Sequence, residues 1–117
     1  MTTQEVADRF YALDQKQDFQ TIYAELYSPD AKSIEPEHSG WGSVQGMDAI
    51  HEKGKKFSET IEEMHGGFTN APIVAGNFFA CVMGFDATVK GKGRVKMEEI
   101  ALYEVKDGKI VSEQFFY

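Results

Sequence analysis

Apolar residues in the first half of the chain recur with the period of an α-helix. Val6, Phe10 and Leu13 stand at positions i, i+4 and i+7, which places them on one face of a first helix. A second helix is predicted to follow Asp18, a good N-cap residue, and to end at a Ser-Pro-Asp turn signal. A third helix is predicted from Met47 to Glu63, after a glycine-rich loop.

Apolar and polar residues in the second half alternate, which is the pattern of β-strands. Three long strands are predicted over Phe78–Lys90, Arg94–Val105 and Lys109–Tyr117. The Asp-Gly pair between the last two strands is a strong hairpin signal. A shorter strand is predicted over His65–Ala71, and a short extended segment follows the second helix.

Helices followed by strands predict a two-layer domain, because each helix must bury its apolar face against the sheet. The chain has 117 residues and a mass of 13.1 kDa, which is enough for one hydrophobic core and too little for two. We therefore predict an α+β fold, with three N-terminal helices packed on a curved antiparallel β-sheet in a single domain over residues 1–117.

Alternate residues of a strand point to opposite faces of a sheet, so the residue number sorts the inner face from the outer one. The odd-numbered residues of the three long strands are the more apolar set and are predicted to face the helices. Glu99 is the single charged member of this set in its strand. Glu113 shares the inner face if the last hairpin has a three-residue loop, whereas a two-residue loop would place Glu113 with Glu98. The three-residue loop is favoured because it joins the two apolar faces.

Two inward-facing carboxyl groups are the main chemical feature of the predicted sheet. A buried carboxylate is costly unless it is hydrogen-bonded, paired or protonated, and two neighbouring carboxyls raise the pKa of at least one of them. Such a pair supplies a proton acceptor and a proton donor near neutral pH. The alternative interpretation is that Glu99 and Glu113 lie at the open end of the sheet and reach water.

Charge and composition exclude several classes of partner. Twelve Lys and Arg side chains oppose nineteen Asp and Glu, which leaves a net charge of -7, so neither nucleic acid nor an anionic membrane surface is expected as a partner. The single cysteine, Cys81, excludes an internal disulfide, and with the polar N-terminus it favours a cytoplasmic location. The three histidines lack the i, i+4 spacing of a helix metal site, so we expect neither a metal nor a cofactor.

Several short segments together resemble a known family. They are Asp18-Phe19, Ile34–Pro36, Gly46–Ile50 and the final hairpin Tyr103–Val111. With three N-terminal helices and a curved sheet, the chain resembles the SnoaL-like proteins of the NTF2-like superfamily, to which the ketosteroid isomerases are more distantly related. The likeness covers nearly the whole chain and implies a deep conical pocket between the helices and the sheet.

The resemblance also implies a site. In ketosteroid isomerases the catalytic base is a carboxylate after the second helix, and Glu35 falls on that position, which makes it a candidate general base. The oxyanion pair of those enzymes does not carry over, since its tyrosine corresponds to Phe10 and its aspartate to about Ala101. Glu99 and Glu113 are candidates for the protonated partner, or for a water-activating pair as in the limonene-epoxide-hydrolase branch, although no inward arginine of the kind that branch adds is evident.

The pocket wall is predicted from the inner strand faces and from the helix and loops above them. Beside the three glutamates, the predicted lining residues are Phe10, Trp41, His65, Met83, Phe85, Met97, Ala101, Tyr103, Phe115 and Tyr117. The outer strand faces are too apolar for a solvated surface. Because relatives commonly pair sheet to sheet, a homodimer through the outer sheet face is expected.

Three functions remain open on the sequence. The first is an acid/base isomerase or cyclase for an apolar carbonyl compound, with Glu35 as base and Glu99 and Glu113 as its partners. The second is a non-catalytic module that binds a small apolar molecule in the same pocket. The third is a dimerisation domain whose cone is filled by its own side chains.

Overall fold

All helices lie within the first 60 residues of the computed structural model, which describes residues 1–117. A capping box begins the first helix: the Glu5 amide donates to the Thr2 hydroxyl at 3.1 Å, and the Thr2 amide donates to the Glu5 carboxylate at 2.9 Å. The helical segments are α1 Thr3–Gln15, α2 Phe19–Thr21, a π-helical turn Ile22–Leu26, a 3₁₀ turn Glu37–Ser39 and α3 Met47–Thr60.

Seven strands form one curved sheet with the order β2-β1-β7-β6-β5-β3, and β4 pairs with β5. The predicted α+β architecture is confirmed, with one difference: β1 runs parallel to β7, so the sheet is mixed and not wholly antiparallel. The strands are β1 Tyr27–Ile34, β2 Val44–Gln45, β3 Ile61–Thr69, β4 Ile73–Ala75, β5 Phe78–Val89, β6 Gly93–Lys106 and β7 Lys109–Phe116.

Several element ends differ from the sequence prediction. Helix α3 ends at Thr60, three residues before the predicted end, and β3 begins at the next residue. The extended segment after the second helix begins at Tyr27 and includes Pro29, because the pairing of β1 with β7 is irregular there and a proline without an N–H fits such a place. Strands β2 and β4 have two and three residues, which is too short for an alternating pattern to reveal.

The β6–β7 hairpin has a two-residue loop, so the predicted three-residue loop was wrong. Asp107 and Gly108 have φ values of 52° and 75°, the left-handed conformation that a tight two-residue hairpin turn requires. Lys106 pairs with Lys109 on either side of this loop.

A β-bulge nevertheless joins the two apolar faces as predicted. The register shifts by one residue at Val111, so odd-numbered residues of β7 beyond it oppose odd-numbered residues of β6. Tyr103 therefore pairs with Glu113, and Ala101 with Phe115. Ile110 precedes the bulge and is buried, although its even number predicted the outer face.

The core lies between α1 and the inner face of the sheet. Phe10 of α1 contacts Phe79 and Tyr103, with ring centroids 5.4 Å and 4.8 Å away, and the two strand residues stack at 4.7 Å. These three rings belong to the single hydrophobic core of the domain.

The outer face of the sheet carries exposed apolar side chains. They lie on β5, β6 and β7, and they are Phe78, Val82, Ile100 and Phe116. A contiguous apolar patch of this kind marks an interaction surface more often than a solvated one. None of the helices combines the length and the apolar character needed to cross a membrane.

Gly84→Ala should destabilise the fold. A methyl group at Gly84 would lie 2.6 Å from the Met97 carbonyl oxygen and 2.7 Å from the Phe68 ring, and the backbone oxygen cannot move away. Overpacking of this kind costs about 1–3 kcal/mol. Urea unfolding measures the loss. Gly66→Ala is the matched control because a methyl group there meets nothing within 4 Å, and equal stabilities of the two variants would contradict the prediction.

Candidate functional site

A cavity of about 1030 Å³ lies between the helices and the inner face of the sheet. Its wall is mainly aromatic and aliphatic, which suits an apolar small molecule. Two of the three predicted glutamates, Glu99 and Glu113, are at the wall. Of the other predicted lining residues, seven are also there: Phe10, His65, Met83, Phe85, Met97, Tyr103 and Phe115.

Three predicted lining residues lie elsewhere. Trp41 is 36% exposed and packs edge-on against Phe57 of α3, with ring centroids 5.8 Å apart, but it is not itself part of the wall. Ala101 points inward but its short side chain is fully buried beneath larger neighbours. Tyr117 is at the chain end beside Glu35, where its hydroxyl is 3.5 Å from that carboxylate.

Glu113 is the most deeply buried charged residue of the site, with 4% of its surface exposed. Both carboxylate oxygens accept hydrogen bonds: Oε1 from the Tyr27 hydroxyl, and Oε2 from the Ser33 hydroxyl at 2.6 Å. Ser33 lies opposite Glu113 because β1 and β7 are parallel neighbours in this register. The two hydroxyl donors offset the cost of burying this carboxylate.

Lys53 of α3 provides the only ammonium group that contacts the site. Its Nζ donates to the Ser33 hydroxyl and lies 3.7 Å from Oε1 of Glu35. It also lies 5.6 Å from the centroid of the Phe115 ring, close enough for a cation–π contact. The lysine therefore stands between Glu35 and the Ser33–Glu113 pair.

Glu35 follows the end of β1 and lies beside the cavity but not on its wall. Burial raises the pKa of Glu35, while the neighbouring Lys53 ammonium opposes that rise and Glu113 adds to it. The structure thus brings Glu35 into the same cluster as the other two glutamates, with a direct charge partner of its own.

Glu99 faces the cavity with no ion pair and no hydrogen bond. Burial raises the pKa of Glu99 to about 7, the negative charges of Glu35 and Glu113 contribute, and only the more weakly acting Lys53 opposes the rise. No hydrogen bond contributes to this shift. A carboxyl with a pKa near neutrality can either donate or accept a proton.

The wall also carries Asp14, whose pKa is raised by burial, together with several phenol and imidazole groups. Burial raises the pKa values of Tyr27 and Tyr103 well above the ordinary tyrosine value, so both phenols stay protonated. His65 is held between Thr88, at 2.8 Å, and Glu63, at 3.1 Å. No group of three His, Cys, Asp or Glu side chains has an arrangement that could hold a metal ion.

Sequence reasoning missed Tyr27, Ser33 and Lys53. A signal existed for Lys53, which stands three residues after Ile50 and four before Phe57 and so belongs to the inward stripe of α3. Tyr27 and Ser33 had no such signal, since their roles depend on the pairing of β1 with a strand 80 residues further along the chain.

The profile of the SnoaL-like domain matches residues 1–117 of the chain. The chain belongs to the SnoaL-like family. A solved structure from Mesorhizobium loti, provisionally described as a SnoaL-like polyketide cyclase, is 36% identical with a TM-score of 0.92 and covers 100% of both chains.

More distant structures share the fold of this SnoaL-like protein. A Xanthomonas campestris protein of unknown function with a cystatin-like fold is 24% identical, with a TM-score of 0.80 over 99% of this chain and 90% of that one. A provisionally described polyketide cyclase from Sinorhizobium meliloti is 14% identical, with a TM-score of 0.70 over 99% and 100%. None of the curated proteins matches the chain.

The stability of the protein should depend on pH through Glu99. The raised pKa means that the folded state binds a proton more readily than the unfolded one, so the free energy of unfolding falls as the pH rises from about 4.5 to about 7. Glu99→Gln removes this loss. Relative to the wild type, the variant should gain on the order of 1–2 kcal/mol between pH 5 and pH 8, allowing for water that reaches the carboxyl.

Urea unfolding at the two pH values measures this gain. Glu98→Gln is the matched control, because Glu98 is the exposed neighbour on the opposite face and should leave the pH dependence unchanged. Identical pH profiles for the wild type and Glu99→Gln would contradict the prediction.

Proposed function

We propose that this SnoaL-like protein is an acid/base enzyme of the isomerase or cyclase type, acting on an apolar carbonyl compound. The observation that carries the proposal is Glu99, an unpartnered carboxyl on the wall of an apolar cavity with a pKa of about 7. A proton-transfer group is most effective when its pKa is near the working pH. The Mesorhizobium loti relative described as a polyketide cyclase supports the same class of chemistry.

The three glutamates have different roles in this reaction. Glu99 takes the proton from the carbon beside the carbonyl group and returns it at the new position. Glu35, the base that the family resemblance implies, lies off the wall and acts on Glu99 through its negative charge. Glu113 is a positioning residue because both its oxygens are already occupied. The Tyr103 phenol at the wall supplies a donor for the carbonyl oxygen, where negative charge develops.

Glu99→Gln should strongly slow proton transfer while leaving the fold and the cavity intact. Proton abstraction can be measured without knowing the natural substrate, by incubating the protein in deuterium oxide with a panel of apolar cyclic ketones and β-keto esters. Mass spectrometry then reports deuterium at the carbon beside the carbonyl. Loss of a general acid/base group lowers such a rate by about 10²–10⁴-fold.

The control for this experiment is Glu98→Gln, which should exchange at the wild-type rate. Retention of exchange in Glu99→Gln, with loss in Glu35→Gln, would transfer the role of base to Glu35. Equal rates in all variants would contradict acid/base catalysis by this cluster.

A second candidate function is a non-catalytic module that binds a small apolar ligand. It is favoured by the hydrogen bonds that Tyr27, Glu113 and His65 of the wall already make within the protein. In the exchange experiment this function predicts thermal stabilisation by some of the ketones and no deuterium incorporation from any of them.

We further propose that the protein forms a homodimer through the outer face of the sheet, where Ile100 is half exposed among other apolar residues. Ile100→Lys would place an unpaired ammonium group in the dimer interface. It should therefore weaken dimerisation roughly tenfold or more, and a tenfold change corresponds to about 1.4 kcal/mol. Sedimentation velocity over a concentration series measures the change. Glu62→Lys on the exposed strand β3 is the control, and a wild type that stays monomeric would contradict the proposal.

A further inference from the structure

Helix α3 places a single lysine among three carboxyl groups. Lys53 lies in the inward stripe of α3 between Ile50 and Phe57, and its side chain is only 14% exposed. The Glu35 side chain that it contacts is 10% exposed. In such a site the placement of one positive charge decides which carboxyls are ionised, because solvent screens it poorly.

The hydrogen bonds from Lys53 have only one consistent direction. An ammonium group can only donate, so the Ser33 oxygen must accept from Lys53. The hydrogen of Ser33 is then free to point to Oε2 of Glu113, while the Tyr27 phenol donates to Oε1. Donors on both oxygens of Glu113 are an arrangement that suits its ionised form.

Lys53 acts on the other two carboxyls unequally. It forms an ion pair with Glu35 at 3.7 Å, whereas Glu99 has no ion pair and no hydrogen bond. We propose that Lys53 is the positioning residue that assigns the proton within the cluster, keeping Glu35 and Glu113 as carboxylates and leaving Glu99 as the carboxyl that gains and loses it. This role of Lys53 rests on the proposed acid/base function, since it explains why Glu99, and not Glu35 or Glu113, is the glutamate that transfers the proton.

The other titratable groups near the cluster do not replace Lys53. Glu99 of β6 is influenced by Glu35 after β1, Glu113 of β7 and Lys53 of α3, and it raises the pKa of Tyr117 in turn. Glu35 is influenced by Lys53 and Glu113, and it lies beside the Tyr117 hydroxyl. Lys53 is the only cation among these groups.

The test is a titration of the glutamate carboxyls by carbon-13 NMR, with Glu35 and Glu99 assigned from their Gln variants. In the wild type, Glu99 should titrate near pH 7 and Glu35 below it. In Lys53→Met the midpoint of Glu35 should rise by about one pH unit or more, since an opposite charge at this distance lowers a pKa by about 1–3 units. The midpoint of Glu99, which makes no ion pair with Lys53, should rise by less.

Three further variants make the result specific. Lys53→Gln removes the charge but keeps a donor for Ser33, so it should show the same rise and replaces Lys53→Met if that variant does not fold. Lys53→Arg should keep the wild-type order of titration. Lys56→Met, an exposed lysine one turn further along α3, should change neither midpoint.

An unchanged Glu35 midpoint in both neutral variants would overturn the proposal, as would a wild type in which Glu35 is the group that titrates near pH 7. The titration does not depend on turnover. Its outcome is therefore separate from that of the exchange experiment: absence of deuterium exchange would defeat the proposed function and leave these midpoints in place.

Discussion

The burial of the Glu113 carboxyl group is the constraint on which the site depends. Glu113 can be a carboxylate beneath the helices only if both of its oxygens receive donors, because an unsatisfied buried charge would cost several kcal/mol. Both donors, Tyr27 and Ser33, come from β1. Strand β1 must therefore lie next to β7, in the parallel register that sets Ser33 opposite Glu113. The parallel pairing of β1 with β7 therefore shapes the fold and also supplies the hydrogen-bond donors of Glu113.

The same constraint connects the helical layer to the sheet. Lys53 reaches Ser33 only because α3 packs with Ile50 in the core, so the position of the helix and the position of its ammonium group are set together. The lysine and Glu35 are both mostly buried, and removing either partner would leave the other charge uncompensated. Helix α3 is therefore positioned both by the Lys53–Glu35 ion pair and by the packing of Ile50 in the core.

Local patterns predicted the parts of this arrangement that depend on local geometry. Alternation placed Glu99 and Glu113 on one inner face, and it did so although the hairpin loop was predicted with the wrong length, because the bulge at Val111 restores the same register. The requirement that the two apolar faces match therefore predicted the register of β6 and β7 correctly, although the assumed loop length was wrong. Alternation failed at Ile110, which precedes that bulge.

The contacts that complete the site are non-local, and no periodicity encodes them. The pairing of β1 with β7 joins residues about 80 positions apart, so the donors of Glu113 could not be recognised from their own neighbourhood. Tyr117 was assigned to the cavity from strand alternation and Trp41 from its place in the loop above it, but neither lies on the wall. The type of a side chain predicts that an aromatic ring will pack against other residues. Only the tertiary fold determines which residues those are.

The candidate reactive group of this cavity, Glu99, differs from the other two glutamates in having no hydrogen-bond donor and no counter-ion. Glu113 accepts hydrogen bonds on both oxygens and Glu35 has a lysine counter-ion, whereas Glu99 has neither and its pKa is raised to about 7. An absent partner leaves no motif in a sequence, so membership of the SnoaL-like family establishes the scaffold without establishing the substrate. A single change at the Lys53 position would redistribute the charges while the apolar wall and the sheet stayed as they are. Relatives with the same fold can therefore differ in chemistry through one or two residues of this cluster.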